Sequence, residues 1–270
     1  MTDAIALGAT ALGAIALGAP RAAVPILTYH SLDDSGSVIS TSPALFRAQM
    51  ELLARRAYHV ITLRELLGAW DRAEPVAPHT VVLTFDDATE NLRQHALPVL
   101  TALQFRATIF AVSEKLGGMN DWPGQAPGIP RLPLLSRSGL AECVEAGCEI
   151  GAHSATHAPL ERIPPAAWAS EVVHCRHSLE SSLGVSVTSF AYPFGHSNAA
   201  LREVVRQHYS AAVGTGLRVA APTDDRYDLP RVDMYYWRSP SVFPLFGHRA
   251  GTWYLRVRAA ARAMRQAWPP

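Results

Sequence analysis

The chain has 270 residues, 49% of them hydrophobic and 17% charged, with a formal net charge of +1. That length suits one large α/β domain or two small ones, the apolar content a sizeable core, and the balanced charge gives no bulk field for nucleic acid or an anionic membrane. Cys143, Cys148 and Cys175 are an odd, scattered set with no CxxC, so neither a disulfide framework nor a thiolate zinc site is expected.

In chain order, residues 1–23 come first as an apolar segment. Ala4 to Ala19 is uncharged, with the length of a signal-peptide core, but Asp3 stands where a basic n-region belongs. The stretch is short and Gly-rich for a membrane span. It reads as a degenerate signal, a weak anchor, a mispredicted start or a packed segment, leaving the cell envelope, the periplasm and the cytoplasm all open. From Val24 onward, short apolar runs alternate with helical patterns: "PILTY" (25–29), "HVITL" (59–63), "VVLTF" (81–85), "ATIFAV" (107–112), "CEIGA" (148–152), "VTSFAY" (187–192), "SAAVG" (210–214) and "RVDMYY" (231–236). Their Val, Ile, Thr and aromatic content predicts strands, several apolar on both faces as in a helix-covered parallel sheet. The first intervening helix opens with Ser42 as N-cap and Pro43 at its first position, and Leu45, Phe46, Gln49, Met50 and Leu53 form its stripe. Seven or eight strand–helix units in 24–247 predict a single α/β domain, and a barrel rather than an open sheet. The Gly/Pro-dense stretch 117–133 interrupts the pattern as a long ordered loop, of the kind that shapes clefts. Residues 248–270 carry Arg249, Arg256, Arg258, Arg262 and Arg265 on a basic helix; a solvated face covering the barrel is the simpler reading, contact with an anionic membrane or glycan the sharper one.

Functional groups of parallel α/β barrels sit at the carboxyl ends of strands. Four expected strand ends carry such groups: His30; Asp86 and Asp87; His153 followed by His157; and Tyr192-Pro193-Phe194-Gly195-His196. Two histidines four apart share one side of a helical turn, and one carboxylate completes a two-His, one-acid set with open positions for water and substrate. Neighbouring residues at a strand end point in different directions, so Asp86 and Asp87 should have different jobs, one on a metal and one on a proton. An Asp pair alone is as readily a helix cap, and an isolated HxxxH is common; their joint placement on one rim is what favours chemistry.

The ordered set "TFDD", "HSATH" and "FAYPFG" resembles the polysaccharide deacetylases with a NodB-type homology domain, carbohydrate esterase family 4. "VPILTYHS" and "LPRVDMYYW" resemble a bacterial subgroup that includes exopolysaccharide and poly-N-acetylglucosamine deacetylases, and the likeness spans Val24 to Trp237. The resemblance implies a distorted (β/α)₇ barrel and a divalent metal, Zn²⁺ or alternatively Co²⁺ or Ni²⁺, held by Asp87, His153 and His157. It implies Asp86 as general base, taking a proton from water whose pKa the metal lowers. Tyr192, Pro193 and Phe194 line the cleft, with the Phe194 backbone N–H on the oxyanion. The implied reaction is hydrolysis of an acetyl group, N-acetyl ahead of O-acetyl, on a polysaccharide or oligosaccharide. The expected partner is thus an acetylated glycan, with no nucleic acid and no specified oligomeric state.

Three positions depart from the family pattern. Ala88 replaces a Gly and is costly there if φ is positive. Ala191 replaces an Arg that orients the base, and Arg231, with Asp233 nearby, is the substitute expected for it. The late "LxH" acid motif is missing, leaving His30 ahead of His196 and His248 as the acid. Trp122 and Trp237 are packing residues or sugar platforms. These departures keep alive a silent carbohydrate-binding scaffold, or a small-substrate amide hydrolase on the same fold.

Overall fold

The computed structural model describes residues 22–267; Ala4–Ala19, and all of the 1–23 segment but its last two residues, lie outside them. The strands are β1 (Ile26–Tyr29), β2 (Ser31–Leu32), β3 (Ser40–Thr41), β4 (His59–Ile61), β5 (Thr80–Phe85), β6 (Thr108–Ala111), β7 (Glu149–Ala152), β8 (Ser189–Ala191), β9 (Ala211–Val213) and β10 (Val232–Asp233). The helices are α1 (Pro43–Arg55), α2 (Leu63–Asp71), α3 (Leu97–Ala102), α4 (Arg137–Glu145), α5 (Cys175–Leu183), α6 (Ala199–His208) and α7 (Arg249–Ala267). Every expected strand is present, and all but β5 are shorter than the run that predicted them, the second and the last most instructively. Leu63 belongs to α2 because the Thr62 hydroxyl accepts from the Glu65 N–H and the Glu65 carboxylate accepts from the Thr62 N–H, a capping box. Past Asp233 the chain turns into a 3₁₀ segment, since the Asp233 carboxylate accepts from the Tyr235 N–H.

The main sheet is parallel, in the order β10-β1-β5-β6-β7-β8-β9, with β4 beside the first half of β5. It curls into a distorted (β/α)₇-type barrel in one domain. Period-2 alternation sorts its side chains. Ile26, Val82, Phe110, Ala191, Ala211 and Val213 pack together with α2 residues Leu63, Leu66, Leu67 and Trp70 inside the curl. Leu27, Tyr29, Leu83, Phe85, Ile109, Ile150, Phe190 and Ala212 pack outward under the other helices. The N-terminus of α2 plugs the bottom of the barrel: the Leu63 N–H donates to Thr108 Oγ1 and the Arg64 N–H to Glu149 Oε2, both at 2.9 Å. The two edges, β9 and β10, share no ladder. One segment joins them, since Leu229 pairs with β9 through Ala212 and Gly214, while Val232 and Asp233 pair with β1. Helix α7 lies over this seam, with Leu255 and Tyr254 against the outer core and Trp237. The three cysteines are free and buried, and burial pushes the Cys143 and Cys175 thiols up to about 12, which leaves them inert. No helix among the described residues is long and apolar enough to cross a membrane.

Candidate functional site

The inward alternation of β5 (Val82, Thr84) continues to Asp86, and that of β7 (Glu149, Gly151) continues to His153, so both side chains enter the rim from inside the barrel. Asp87 would then face outward. It is turned back by a left-handed backbone, with φ of +67° at Asp87 and +54° at Ala88. Ser154 (+62°), His157 (+63°) and Phe194 (+60°) are also left-handed and non-glycine. Such residues cost on the order of 1 kcal/mol or more each and gather where a site needs an unusual chain path. Ala88 therefore stands at the kind of position where Gly is the easy residue. The helical turn expected to join His153 and His157 is absent. They meet across a loop whose two left-handed residues do what helical spacing was expected to do. Glu171 ties that loop down: its carboxylate accepts from the Ala155 and Thr156 N–H groups, both at 3.0 Å, and from the Thr156 hydroxyl at 2.7 Å. The Ser154 hydroxyl accepts from the His157 N–H. Nothing in the spacing singled out Glu171, because it lies in a helical run that reads as ordinary amphipathic surface.

Asp87, His153 and His157 are all buried, and one ligand atom from each lies within 4.8 Å of the others. Asp87 Oδ1 is 3.4 Å from Nε2 of both histidines and has no hydrogen-bond partner. A buried carboxylate oxygen left this way costs several kcal/mol unless a cation satisfies it. His153 Nδ1 donates to the Ala191 carbonyl at 2.8 Å, which leaves the Nε2 lone pair facing Asp87. Three N/O donors converging on one face, with the fourth side open to the cleft, fit a divalent cation of the zinc type. Burial alone would raise the Asp87 carboxyl, but the two imidazoles hold it below the ordinary carboxylate range. Burial likewise lowers His157, whereas Asp87 and Asp86 outweigh burial at His153 and raise it.

Asp86 is held by Arg231. Both guanidinium ends donate to its two oxygens at 2.7 Å, with both side chains almost wholly buried. Arg231 sits just before β10, and its guanidinium reaches up through the barrel interior, donating from Nε to the Gly214 carbonyl at 2.9 Å and so bracing the seam. Burial would raise the Asp86 carboxyl; the Arg231 charge and hydrogen bonds more than offset that and lower it. His30, at the end of β1, places Nε2 3.7 Å from Asp86 Oδ2 and is 28% exposed, so it faces the opening.

These residues line one cleft of about 440 Å³ at the carboxyl ends of the strands, with Asn120, Trp122, Tyr192, Phe194, Asp233, Tyr235, Tyr236, Arg262 and Arg265 among its walls. The insertion loop supplies Trp122, whose ring stacks on His157 at 4.0 Å between centroids and 22° between planes. Phe194 meets the same imidazole edge-on at 4.7 Å. Trp237 does not reach the cleft. It is 1% exposed, boxed in edge-on by Phe243, Phe246 and Tyr254, and lines a carboxylate-free apolar cavity at the opposite end of the strands. A ring so enclosed offers no face to a sugar, so the expected platform at this position is withdrawn. Pro193 and His196 border side cavities rather than the cleft, and His248 is exposed just before α7.

Comparison with known proteins agrees with this geometry. Residues 73–213 match the family model described as "Polysaccharide deacetylase". The Bacillus subtilis (strain 168) protein YxkH is 26% identical over 223 residues, 82% of this chain and 75% of that protein. Among solved structures, the Streptococcus pyogenes deacetylase PplD, in complex with acetate, superposes with a TM-score of 0.70 at 23% identity, covering 80% of this chain and 93% of its own. The Bacillus cereus polysaccharide deacetylase BC0361 gives 0.66 at 27% identity, with 78% and 65% covered. Together with the aspartate–histidine centre at the barrel rim, these matches show that the chain belongs to the polysaccharide deacetylase family.

Proposed function

We propose that the protein is a metal-dependent hydrolase that removes N-acetyl groups, in preference to O-acetyl groups, from an acetylated polysaccharide or oligosaccharide. The observation that carries this reading is the division of labour between two adjacent carboxylates. Asp87 has a bare oxygen among two histidines, whereas both Asp86 oxygens are gripped by Arg231 beside that centre. In the proposed mechanism Asp87, His153 and His157 hold a divalent cation, Zn²⁺ first with Co²⁺ and Ni²⁺ as alternatives. When bound, it lowers the pKa of a water and polarises the acetyl carbonyl. Asp86, kept ionised by Arg231, would take the proton of the attacking water. The strained turn at Phe194 presents its backbone N–H to the developing oxyanion, and Tyr192 shapes the wall beside it. His30 supplies the proton to the leaving amine nitrogen, so that amide and water become free amine and acetic acid. The N-acetyl preference rests on this last step. An amide nitrogen leaves only when protonated, and His30 is the partly exposed imidazole beside Asp86.

The test is acetate release by zinc- or cobalt-loaded protein across N- and O-acetylated glycans, with Asp86→Asn alongside. Release by the native protein and a loss of at least about a hundredfold in the variant is the expected result. No acetate from any glycan, with metal bound, would overturn the reading.

A further inference from the structure

We infer that the cleft selects acetylated glycans carrying an anionic group, a carboxylate or a phosphate, near the acetylated sugar, and that Arg262 and Arg265 of α7 recognise it. The inference rests on the deacetylase reading above and names the substrate class for the same site.

Helix α7 runs from the bottom of the barrel to the rim. Gly251, Thr252 and Leu255 line the apolar cavity beside Pro25 and Thr80, whereas Arg262 and Arg265 line the catalytic cleft. The ten residues from Leu255 to Arg265 cover about 15 Å at 1.5 Å each, enough to climb past the short strands. The helix carries five arginines and no acid. Most arginines of this protein engage a carboxylate or a carbonyl: Arg56, Arg64, Arg93, Arg202 and Arg231 are examples. Arg262 and Arg265 make no ion pair or side-chain hydrogen bond among the described residues. The carboxylates on the cleft wall are already committed. Asp86 is paired with Arg231, Asp87 faces the two histidines, and Asp233 caps the turn at Tyr235. Behind Arg262 lies a side cavity lined also by Glu161 and Asp228. Asp228 is taken by Arg202 at 2.8 Å, and Glu161, which makes no ion pair with Arg262, disfavours an anion in that cavity, so the cleft side is where the arginines meet one. Two guanidinium groups without a partner among the described residues, side by side on the cleft wall, suit planar, forked recognition of carboxylate or phosphate.

The test compares kcat/KM for acetate release from three oligosaccharides of equal length. One is a neutral N-acetylhexosamine oligomer, one alternates N-acetylhexosamine with uronic acid, and one carries phosphodiester links. The expected result is a preference of about tenfold for at least one anionic oligomer over the neutral one at low salt, weakening at high salt. The uronate and phosphate arms distinguish the two sources of charge. In the double variant Arg262→Gln/Arg265→Gln the preference ratio should fall below about twofold, whereas Arg262→Lys/Arg265→Lys should keep most of it. An unchanged ratio in the glutamine variant, or no anionic preference in the native protein, overturns the inference. Should no oligomer yield acetate, the deacetylase reading fails first. The inference is then decided by calorimetric titration of the same oligomers: anionic binding lost in the glutamine variant supports it, and equal binding of neutral and anionic oligomers overturns it.

Discussion

At the scale of single residues, the site depends on one buried ion pair and one stacked ring. Replacing Arg231 with Gln leaves Asp86 buried without its counter-charge. Breaking such a pair costs about 3–5 kcal/mol, and urea unfolding at neutral pH should show a loss of that size. A carboxyl whose folded pKa lies below its unfolded value stabilises the fold above that unfolded value, about 3.9. The contribution disappears as pH falls through the folded pKa. The deficit of Arg231→Gln should therefore shrink as the pH is lowered. With the Arg231 charge and hydrogen bonds gone, burial is opposed only by His153 and His30 and the Asp86 pKa rises, so the acid limb of kcat/KM should move to higher pH while bound metal is retained. A limb that stays in place would show that Arg231 does not set the state of the base. Trp122 is a different case. His157 Nδ1 is buried without a hydrogen-bond partner, unlike His153 Nδ1, so its ring is oriented by the Trp122 face and the Phe194 edge. Trp122→Ala should weaken zinc binding by about 10–100-fold, the size of effect seen when a ligand's support is removed. Trp122→Phe should restore most of it, both read by calorimetric titration.

At the scale of elements, the barrel interior is filled so closely that one strand position accepts only glycine. A Cβ at Gly151 of β7 would overlap the Phe110 ring and stand 2.9 Å from Ser189 Oγ. Gly151→Ala should cost about 1–3 kcal/mol or more in urea unfolding, and Phe110→Leu in the same chain should recover part of it. The loop after β7 is shaped by Glu171 more than by its own sequence. Glu171→Ala leaves the Thr156 N–H and hydroxyl without their acceptor, while the Ala155 N–H keeps the Glu171 backbone carbonyl, and should lower zinc affinity without removing a ligand. Unchanged affinity would mean that the left-handed turns at Ser154 and His157 hold the histidines unaided. The strands themselves were legible because they are short apolar runs rich in β-branched residues, bounded by helix caps such as Ser42 and Thr62. The loop was not, since HxxxH has the same spacing on a helical turn and on a doubly left-handed loop.

At the scale of the whole molecule, the proposed metal site should couple metal binding to folding. The three donors lie at the ends of β5 and β7 and in the loop beyond, so the unfolded chain has no such site. Zinc at 100 times its Kd should raise the unfolding free energy by about 2.7 kcal/mol. His153→Ala and Asp87→Asn should abolish that increment. Because the imidazoles must be neutral to bind and the aspartates hold His153 above the ordinary histidine range, the increment should already shrink as pH falls towards that range. An equal increment in His153→Ala would place the cation elsewhere. The seam between β9 and β10 is the other global feature: Arg231, the segment around Leu229 and the overlying α7 hold it without a strand ladder, so Asp86 and the closure of the barrel share one side chain.

The family, the barrel class and the residues gathered at the rim were all written in the local sequence. Strand ends, period-2 alternation and the motifs "TFDD", "HSATH" and "FAYPFG" are short-range patterns. Three things were decided only by the tertiary structure. Arg231 was expected from the sequence as a substitute for an Arg at position 191, but its two-pronged grip on Asp86, 145 positions away, exists only because the sheet curls. Trp237 is sealed in an apolar box while Trp122, on an irregular loop, reaches the histidine, because burial depends on what packs above a ring rather than on the ring itself. The basic helix reads from sequence as a solvated face, yet its path over the open seam brings Arg262 and Arg265 onto the cleft wall. Local patterns fix which groups a chain carries to a strand end; which distant groups they meet is fixed by how the sheet closes.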